Sequence, residues 1–440
     1  MPKSVKKTKT GRIAQLAALG AGSATKRASV AIRSAFTTDE VKAALLDEFW
    51  AGFADDLSDT LGDLRGILLK LGQILSFMEI DMPPIVKQKL AKLQDHATVC
   101  NWSSIRPVLE NSLGKPAGEL FEAIEKLPFA SASIGQVHRA TMLEGSKVAV
   151  KIQYPGIVDA VNADLSSSEI MATAIAFLLS FIEEESKSRT LILVEEIRRY
   201  ILNELDYTEE ARIQTLFGKY YENHPNIHVP QIIDELSTRE VLVSEIVEGS
   251  SFESRIKHLQ ENQDALDKIG QILLDYQLGS FFRFSVLNGD PHPGNFRFID
   301  DNVIACLDYG CFIEVDAKRL NLWKQLFIST IKQNDKIQRS TLIKLIAIDD
   351  FSIPPSADVH NLKAFFDLCF APFEDDEEMF FNIEYAQLVT DSGKKLLKET
   401  TLSHEMIIMV RVLLGTYSNL ARIGCTINCK PLAKQWLNQG

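Results

Sequence analysis

The chain has 440 residues, 46% of them apolar and 24% charged, which suits a globular protein of two or three domains or subdomains. Its net charge of -12 is unevenly spread: no Asp or Glu precedes Asp39, and the head holds eight of the 47 basic residues, leaving 39 against 59 acidic residues beyond it. An acidic body excludes nucleic acid as the main partner, while the basic head suits an anionic membrane surface.

The six cysteines form no C-x-x-C pair and no zinc spacing, so they read as reduced thiols. The longest apolar run, Ile170 to Ile182, is too short to span a bilayer and ends in Glu183-Glu184-Glu185. No apolar core follows the first lysines closely, so no secretory signal is read. Residues 1–36 also have the composition of an organelle transit peptide. We read them as a basic tail, either solvated or lying on a membrane surface through a loose amphipathic helix.

From Thr38, helical spacing runs through Phe53, Leu57, Leu61, Leu64, Leu68, Leu71 and Leu75. Within it, Lys70 and Gln73 are three apart and share one face. Gly72 costs helix stability there, and close backbone approach is one reason to keep it. Pro83-Pro84 ends the segment, and a helix restarts over 85–95.

Small residues, Ala130, Ser131, Ala132 and Ser133, then lead into a strand ending in Ile134-Gly135-Gln136-Val137-His138. Val148 to Ile152 predicts a second strand, with Ala149 and Lys151 on one face and Val148, Val150 and Ile152 on the other. A small Ala beside a lysine leaves room for a flat base while the ammonium reaches phosphates, as in the V-A-I-K strand of protein kinases. A helical insertion is expected between Pro155 and Val194, followed by one helix carrying Glu204, Asp206 and Glu210. Glu204 and Glu210, six apart, do not share a face. Glu210 is assigned to Lys151, and Glu204 to Lys70. Residues 229–234 and 240–246 predict a hairpin, whose second strand leads into Glu245 and Val247, where a kinase hinge offers backbone groups to adenine.

A long buried helix is expected from Asp264 to Phe284. Next comes Asn288-Gly289-Asp290-Pro291-His292-Pro293-Gly294-Asn295, then two short apolar runs around an Asp300-Asp301-Asn302 tip, then Asp308-Tyr309-Gly310. The tip predicts a hairpin that returns Asp308 to the neighbourhood of Asn295. An Asp, an Asn five residues on, and an Asp-x-Gly beyond a hairpin is the spacing of a kinase catalytic loop and metal loop. Asp290 would position an attacking hydroxyl or water, while Asn295 and Asp308 supply the oxygen ligands that Mg²⁺ prefers. Residues 315–435 read as a mainly helical lobe without a further catalytic motif, in which His360, His404 and the aromatics at 365–373 serve packing.

Taken together, K-x-G-Q at Lys70–Gln73, A-S-A-S-I-G-Q-V-H at Ala130–His138, V-A-V-K at Lys151, Glu204, Asp206 and Glu210, D-P-H-P-G-N at Asp290–Asn295 and the D-x-G at Asp308 resemble the UbiB/AarF family of atypical kinase-like proteins, which includes coenzyme Q kinases. The resemblance covers residues from about 40 to 435. It implies an α+β, bilobal, atypical protein-kinase-like fold. A basic tail (1–38) and a helical extension (39–114) would precede an N-lobe (115–248) and a mainly helical C-lobe (249–440). It further implies that the Ala130–Ser133 loop covers the phosphates of ATP, and that Lys70, Gln73 and Glu204 gate the site where a protein substrate would dock. The expected cofactors are ATP (or ADP) and Mg²⁺, with Glu245 and Val247 at the adenine. The expected role is an ATPase or kinase supporting isoprenoid-quinone (ubiquinone) biosynthesis or membrane lipid homeostasis, with quinone-biosynthesis proteins or an isoprenoid lipid as partners. A small-molecule or lipid phosphotransferase and a nucleotide-binding pseudokinase scaffold are the alternatives. The expected location is cytoplasmic, peripheral at the inner membrane face, with a mitochondrial one left open. Two positions depart from the family pattern: Tyr309 stands for the usual Phe, and Ser131 for the Ala of many relatives.

Overall fold

The computed structural model of the chain describes residues 99–132, 134–165, 201–300, 302–347, 355–400 and 402–438, with scattered positions among 22–52 and Arg198. Most of the expected tail helix, Lys70 and Gln73, the apolar run from Ile170 and Ser133 lie outside the described residues. The chain falls into two compact units, residues 1–205 with 238–241, and residues 206–237 with 242–440.

The first unit is built on an antiparallel sheet. Strand β1 (Phe121–Ile124) and the short β2 (Ala130–Ser131) both pair with β3 (Gly135–Met142), which pairs along its length with β4 (Lys147–Gln153). The expected alternation on β4 is present. Val148, Val150 and Ile152 are buried, whereas Ala149 and Lys151 are half-buried on the other face. Burying each such branched side chain contributes about 1.5–3 kcal/mol. The small-residue segment folds tightly onto β3: Phe129 N–H donates to Val137 O at 2.9 Å and Ala132 N–H to Gly135 O at 2.9 Å.

Helix α1 (Trp102–Leu113) buries Ile105 and Leu109, one turn apart, and ends at Gly114, whose φ of 68° lies in the left-handed region that glycine enters without cost. Two polar residues of β3 tie the unit together. Gln136 Oε1 accepts from Cys100 N–H at 2.9 Å, and its Nε2 donates to Cys100 O at 3.1 Å. That amide also lies 2.9 Å from His138 Nε2, and His138 Nδ1 lies 2.7 Å from Glu125 O. The carbonyl can only accept, so His138 is the Nδ1–H tautomer with Nε2 accepting. Burial disfavours its charged form and pushes its pKa below 6.5. Helix α2 (Ile157–Leu165) follows β4 and opens the expected insertion.

In the second unit, the helix expected to carry both Glu204 and Glu210 is broken. Helical backbone ends at Glu204, and Asp206 starts helix α3 (Tyr207–Tyr221) as its N-cap, its carboxylate accepting from Thr208 N–H at 3.0 Å. A short polar side chain at that position satisfies a backbone donor that a continuous helix would bond internally, so capping won over continuation. On α3, Glu210, Gln214, Phe217 and Tyr221 form one buried face.

The expected hairpin around Glu235–Arg239 forms through a single bridge, Ile232 to Ser244, with Ile233 N–H to Val243 O at 2.8 Å, rather than through two full strands. Only its second arm is a strand, β6 (Val241–Glu245). Strand β5 (Ile227–His228) precedes it, and β7 (Ser250–Ser251) and helix α4 (Phe252–Leu259) follow. The expected long helix is α5 (Gln263–Leu274) continued by a π-turn over Asp275–Gly279 and α6 (Ser280–Phe284). The π-turn turns Asp275 inward. Its carboxylate accepts from Arg283 at 2.8 Å and from the Trp436 indole at 2.6 Å, and a Cβ on Gly279 would lie 2.6 Å from the Asp275 carboxylate and from the indole nitrogen.

Strands β8 (Val286–Asn288) and β11 (Phe312–Glu314) pair antiparallel, and between them β9 (Phe296–Phe298) pairs antiparallel with β10 (Ile304–Cys306). β10 also runs parallel to β5. The remainder is mainly helical: α7 (Ala317–Ile331), α8 (Asp335–Ala347), α9 (Pro355–Phe370), α10 (Ile383–Glu399), α11 (His404–Ile423) and α12 (Lys430–Asn438). Among the described residues, the short pair β12 (Met379–Phe380) and β13 (Thr426–Ile427) is the one strand pairing within it. Trp323, Phe366, Phe370, Phe373 and Trp436 are buried among these helices, so the aromatic run packs as expected. Helix α11 is long and apolar enough to cross a membrane, yet 67% of that window is buried inside the protein. It is a core helix that carries Arg411 at mid-length and Arg422 in its last turn.

Candidate functional site

The hairpin β9–β10 does what its sequence predicts. Ile304, Ala305 and Cys306 register against Phe298, Arg297 and Phe296, and Leu307 N–H donates to Asn295 O at 2.8 Å. Just outside it, Gly289 N–H donates to Cys311 O at 2.8 Å, and the β8–β11 ladder begins. Segments 289–295 and 307–311 are therefore held side by side between two ladders, which brings Asp290, Asn295 and Asp308 together.

Within this frame, Asn295 Nδ2 donates to Asp290 Oδ2 at 2.9 Å. The carboxylate accepts only, so this contact fixes which end of the amide is nitrogen and leaves Oδ1 as the end directed elsewhere. Asp308 Oδ1 accepts from Gly310 N–H at 3.0 Å, which turns the Asp-x-Gly tightly. Tyr309 keeps the aromatic role of this position. Its ring is fully buried, 5.2 Å from that of Phe217 on α3. Two turns back on the same helix face, Glu210 is 5% exposed, and its Oε2 lies 3.7 Å from where a Cβ on Gly310 would sit. Helix α3 therefore brings Glu210 to the Asp308 loop through the Phe217–Tyr309 contact.

Three residues without an assigned role complete the site. Asn288 is buried; its Oδ1 accepts from Asp290 N–H at 2.9 Å and its Nδ2 donates to Asp308 O at 2.9 Å, so one side chain braces both loops. Arg411 Nη2 donates to Asp290 Oδ1 at 3.0 Å, with both side chains about 15% exposed. Two turns on, Asn419 Nδ2 donates to Pro291 O at 2.7 Å, and between them a Cβ on Gly415 would overlap the Pro291 ring. Arg411, Gly415 and Asn419 form an i, i+4, i+8 stripe of α11 that seats the Asp290–Pro291 backbone. The available signal was an arginine set inside the apolar stretch Met406–Leu414 of that helix. Cys306 also lies here, its thiol pushed up to about 12 by complete burial, and is not a reactive group.

The remaining assigned residues are placed as follows. Lys151 belongs to the first unit, on the half-buried face of β4 beside Ala149. Ala130 and Ser131 form β2 and are exposed, and Ala132 closes the turn to β3. Glu204 also belongs to the first unit, whereas Glu210 belongs to the second. Glu245 N–H donates to Gln231 O at 2.8 Å and its carboxylate lies 3.0 Å from His228 Nε2, so its amide is engaged within the protein; Val247 follows the strand end.

The ABC1 atypical kinase-like domain matches residues 92–341, more than half of the chain and all of the Asp290–Asp308 frame. The chain belongs to this family. Its fold is accordingly the α+β, bilobal, kinase-like one, with the small antiparallel sheet in one unit and the Asp290–Asp308 frame in the other. Among similar proteins are a probable serine/threonine-protein kinase, abkA, of Dictyostelium discoideum (31% identical over 58% of this chain and 46% of the relative) and the atypical mitochondrial kinase coq-8 of Caenorhabditis elegans (27% over 86% of this chain and 50% of the relative). The chain spans about half the length of these relatives. A similar solved structure is Rv3197 of Mycobacterium tuberculosis in complex with erythromycin, with a TM-score of 0.57 and 26% identity over 92% of this chain and 99% of that one.

Proposed function

We propose that this ABC1-family chain binds Mg-ATP and acts as an atypical kinase or ATPase, with Asp290, Asn295 and Asp308 as its chemical centre. The observation that carries this reading is the Asn295–Asp290 hydrogen bond, which spends the amide nitrogen on the carboxylate and so presents the amide oxygen as a ligand. Asn295 Oδ1 and the Asp308 carboxylate are hard donors of the kind Mg²⁺ takes, and an ion shared with nucleotide phosphates needs only one or two protein ligands. When bound, the ion neutralises charge developing on the transferred phosphoryl group.

Asp290 positions the entering water or hydroxyl. Each of its oxygens already accepts one hydrogen bond, from Arg411 and from Asn295, so its rotamer is set before substrate arrives. Such pre-organisation removes the cost of reorientation during reaction. Lys151 is assigned to the phosphates and Glu210 to Lys151. The Ala130–Ser133 loop is assigned to the phosphates as well, Glu245 and Val247 to adenine, and Lys70, Gln73 and Glu204 to gating. The quinone-biosynthesis context comes from the family resemblance and from the coq-8 relative, whose mitochondrial setting is that protein's own. A quinone-biosynthesis protein or an isoprenoid lipid at a membrane surface is the partner we assign.

The test is binding and turnover of ATP with and without Mg²⁺. Asp308→Asn is expected to abolish metal-dependent nucleotide binding, and unchanged Mg-ATP affinity in that variant would overturn the assignment. Phosphate release without a labelled acceptor marks an ATPase, and label carried into a lipid or metabolite marks a kinase. Binding without either marks a scaffold.

A further inference from the structure

Beyond β11, helices α7 and α8 frame an open groove of about 1220 Å³. Its charged lining residues are Lys318, Lys324, Lys332 and Lys344, and among the described residues no carboxylate lines it. Its apolar lining includes Leu322, Ile328 and Ile337, the last 40% exposed. Among the described residues none of the four ammonium groups has an ion-pair partner. Four like charges gathered without counter-charge, in a chain whose net charge is -12, call for an acidic occupant.

The complement of this groove is on the same unit. After α9 the chain runs through Glu374-Asp375-Asp376-Glu377-Glu378 into β12 and the start of α10. Asp376 is held by Lys430 at 3.1 Å, but Asp375, Glu377 and Glu378 are exposed and have no ion-pair partner among the described residues. Beside them stand Phe380, 51% exposed, and Ile383, 77% exposed. This is an apolar prominence rimmed by carboxylates, opposite in sign to the groove.

The two features are neighbours. Gln333, between the groove residues Lys332 and Asn334, donates from Nε2 to Glu374 Oε2 at 2.7 Å. Despite that closeness, the three carboxylates do not reach the lysines of their own chain. Adjacent patches of opposite sign are self-complementary about a two-fold axis, because each half meets its counterpart twice. We propose that the chain forms a two-fold homodimer in which the Asp375–Ile383 prominence of each copy enters the lysine groove of the other. This inference is independent of the nucleotide assignment. Charge sets the register and speeds encounter, and the apolar residues on both sides supply the buried contact.

The experiment is sedimentation equilibrium on the 440-residue chain, with two charge-reversed variants. One carries Lys318→Glu, Lys324→Glu and Lys332→Glu; the other carries Asp375→Lys, Glu377→Lys and Glu378→Lys. The wild type is expected to reach the mass of two chains in the micromolar range. Its dissociation constant should weaken at least roughly tenfold when salt rises from about 0.1 M to about 1 M, where the screening length falls from roughly 10 Å to roughly 3 Å. Each variant alone is expected to be a folded monomer by circular dichroism and mass, and an equimolar mixture is expected to recover the dimer, since both halves of the interface are then matched. A wild-type monomer at every concentration, or a mixture of folded variants that stays monomeric, overturns the proposal. A monomeric wild type that binds anionic vesicles, with loss of binding in the lysine variant, also overturns it and gives the groove to a lipid surface.

Discussion

Arg411→Ala isolates the contact between α11 and the Asp290 loop. It removes one charge-assisted hydrogen bond, at 3.0 Å to Asp290 Oδ1, between side chains 16% and 15% exposed. Hydrogen bonds to charged groups contribute about 1.5–3 kcal/mol, and losing one partner of a fully buried pair costs about 3–5 kcal/mol. Partial exposure argues for the lower range. We expect a loss of about 1.5–3 kcal/mol in urea unfolding, with a fall in Mg-dependent ATP turnover, because Asp290 loses one of its two fixed hydrogen bonds. Arg411→Lys keeps the charge but not the planar fork, and should recover part of the stability. A double-mutant cycle with Asp290→Asn separates the pair from general damage to the helix. Coupling of about 0.5–3 kcal/mol is expected for residues in contact. If the two single effects add to within about 0.5 kcal/mol, Arg411 does not act through Asp290 and the reasoning fails.

Further outcomes follow from other contacts. Gly415→Ala places a Cβ in overlap with the Pro291 ring, 2.9 Å from its Cβ; about 1–3 kcal/mol of overpacking and reduced ATP turnover are expected, and an unchanged variant on both counts would remove the seat assigned to α11. Gln153 Nε2 donates to Leu205 O at 3.1 Å and to Arg239 O at 2.9 Å. Gln153→Leu strands both carbonyls and should destabilise by about 1–3 kcal/mol in a denaturant titration. His138 has its pKa depressed from 6.5 by burial, so its contribution is whole above pH 6.5 and is lost as pH falls below that toward the folded value. The denaturation midpoint should therefore fall between pH 7.5 and pH 5.5 in the wild type and fall less in His138→Gln; identical slopes would show that His138 does not carry the effect.

The Asp290–Asp308 frame was legible because its geometry is local. Two short, mainly apolar runs around a polar tip specify a hairpin, and a hairpin fixes which residues come back together whatever else the chain does. The face of β4 was legible for a similar reason, since strand alternation is a property of the backbone alone. Arg411 was not legible. It lies 121 residues beyond Asp290, and no period or spacing records a contact made by packing one helix onto one loop. Asp206 shows a different failure: its two flanks both favour helix, and only the competition between a capping carboxylate and an internal hydrogen bond decides that the helix stops.

That break coincides with the division of the chain. Leu205 is the last residue of the first unit before the chain leaves it, and residues 238–241 are its brief return. Gln153 bonds carbonyls at both crossings, Leu205 and Arg239, while its own N–H donates to Glu240 O at 3.0 Å. One buried amide at the end of the Lys151 strand therefore anchors the chain where it leaves the sheet and where it comes back. A side chain confined to packing would leave the Leu205 and Arg239 carbonyls at these crossings to find water inside a buried edge. Glutamine satisfies both through one side chain, which ties the end of β4 to both points where the chain crosses the limit of the first unit.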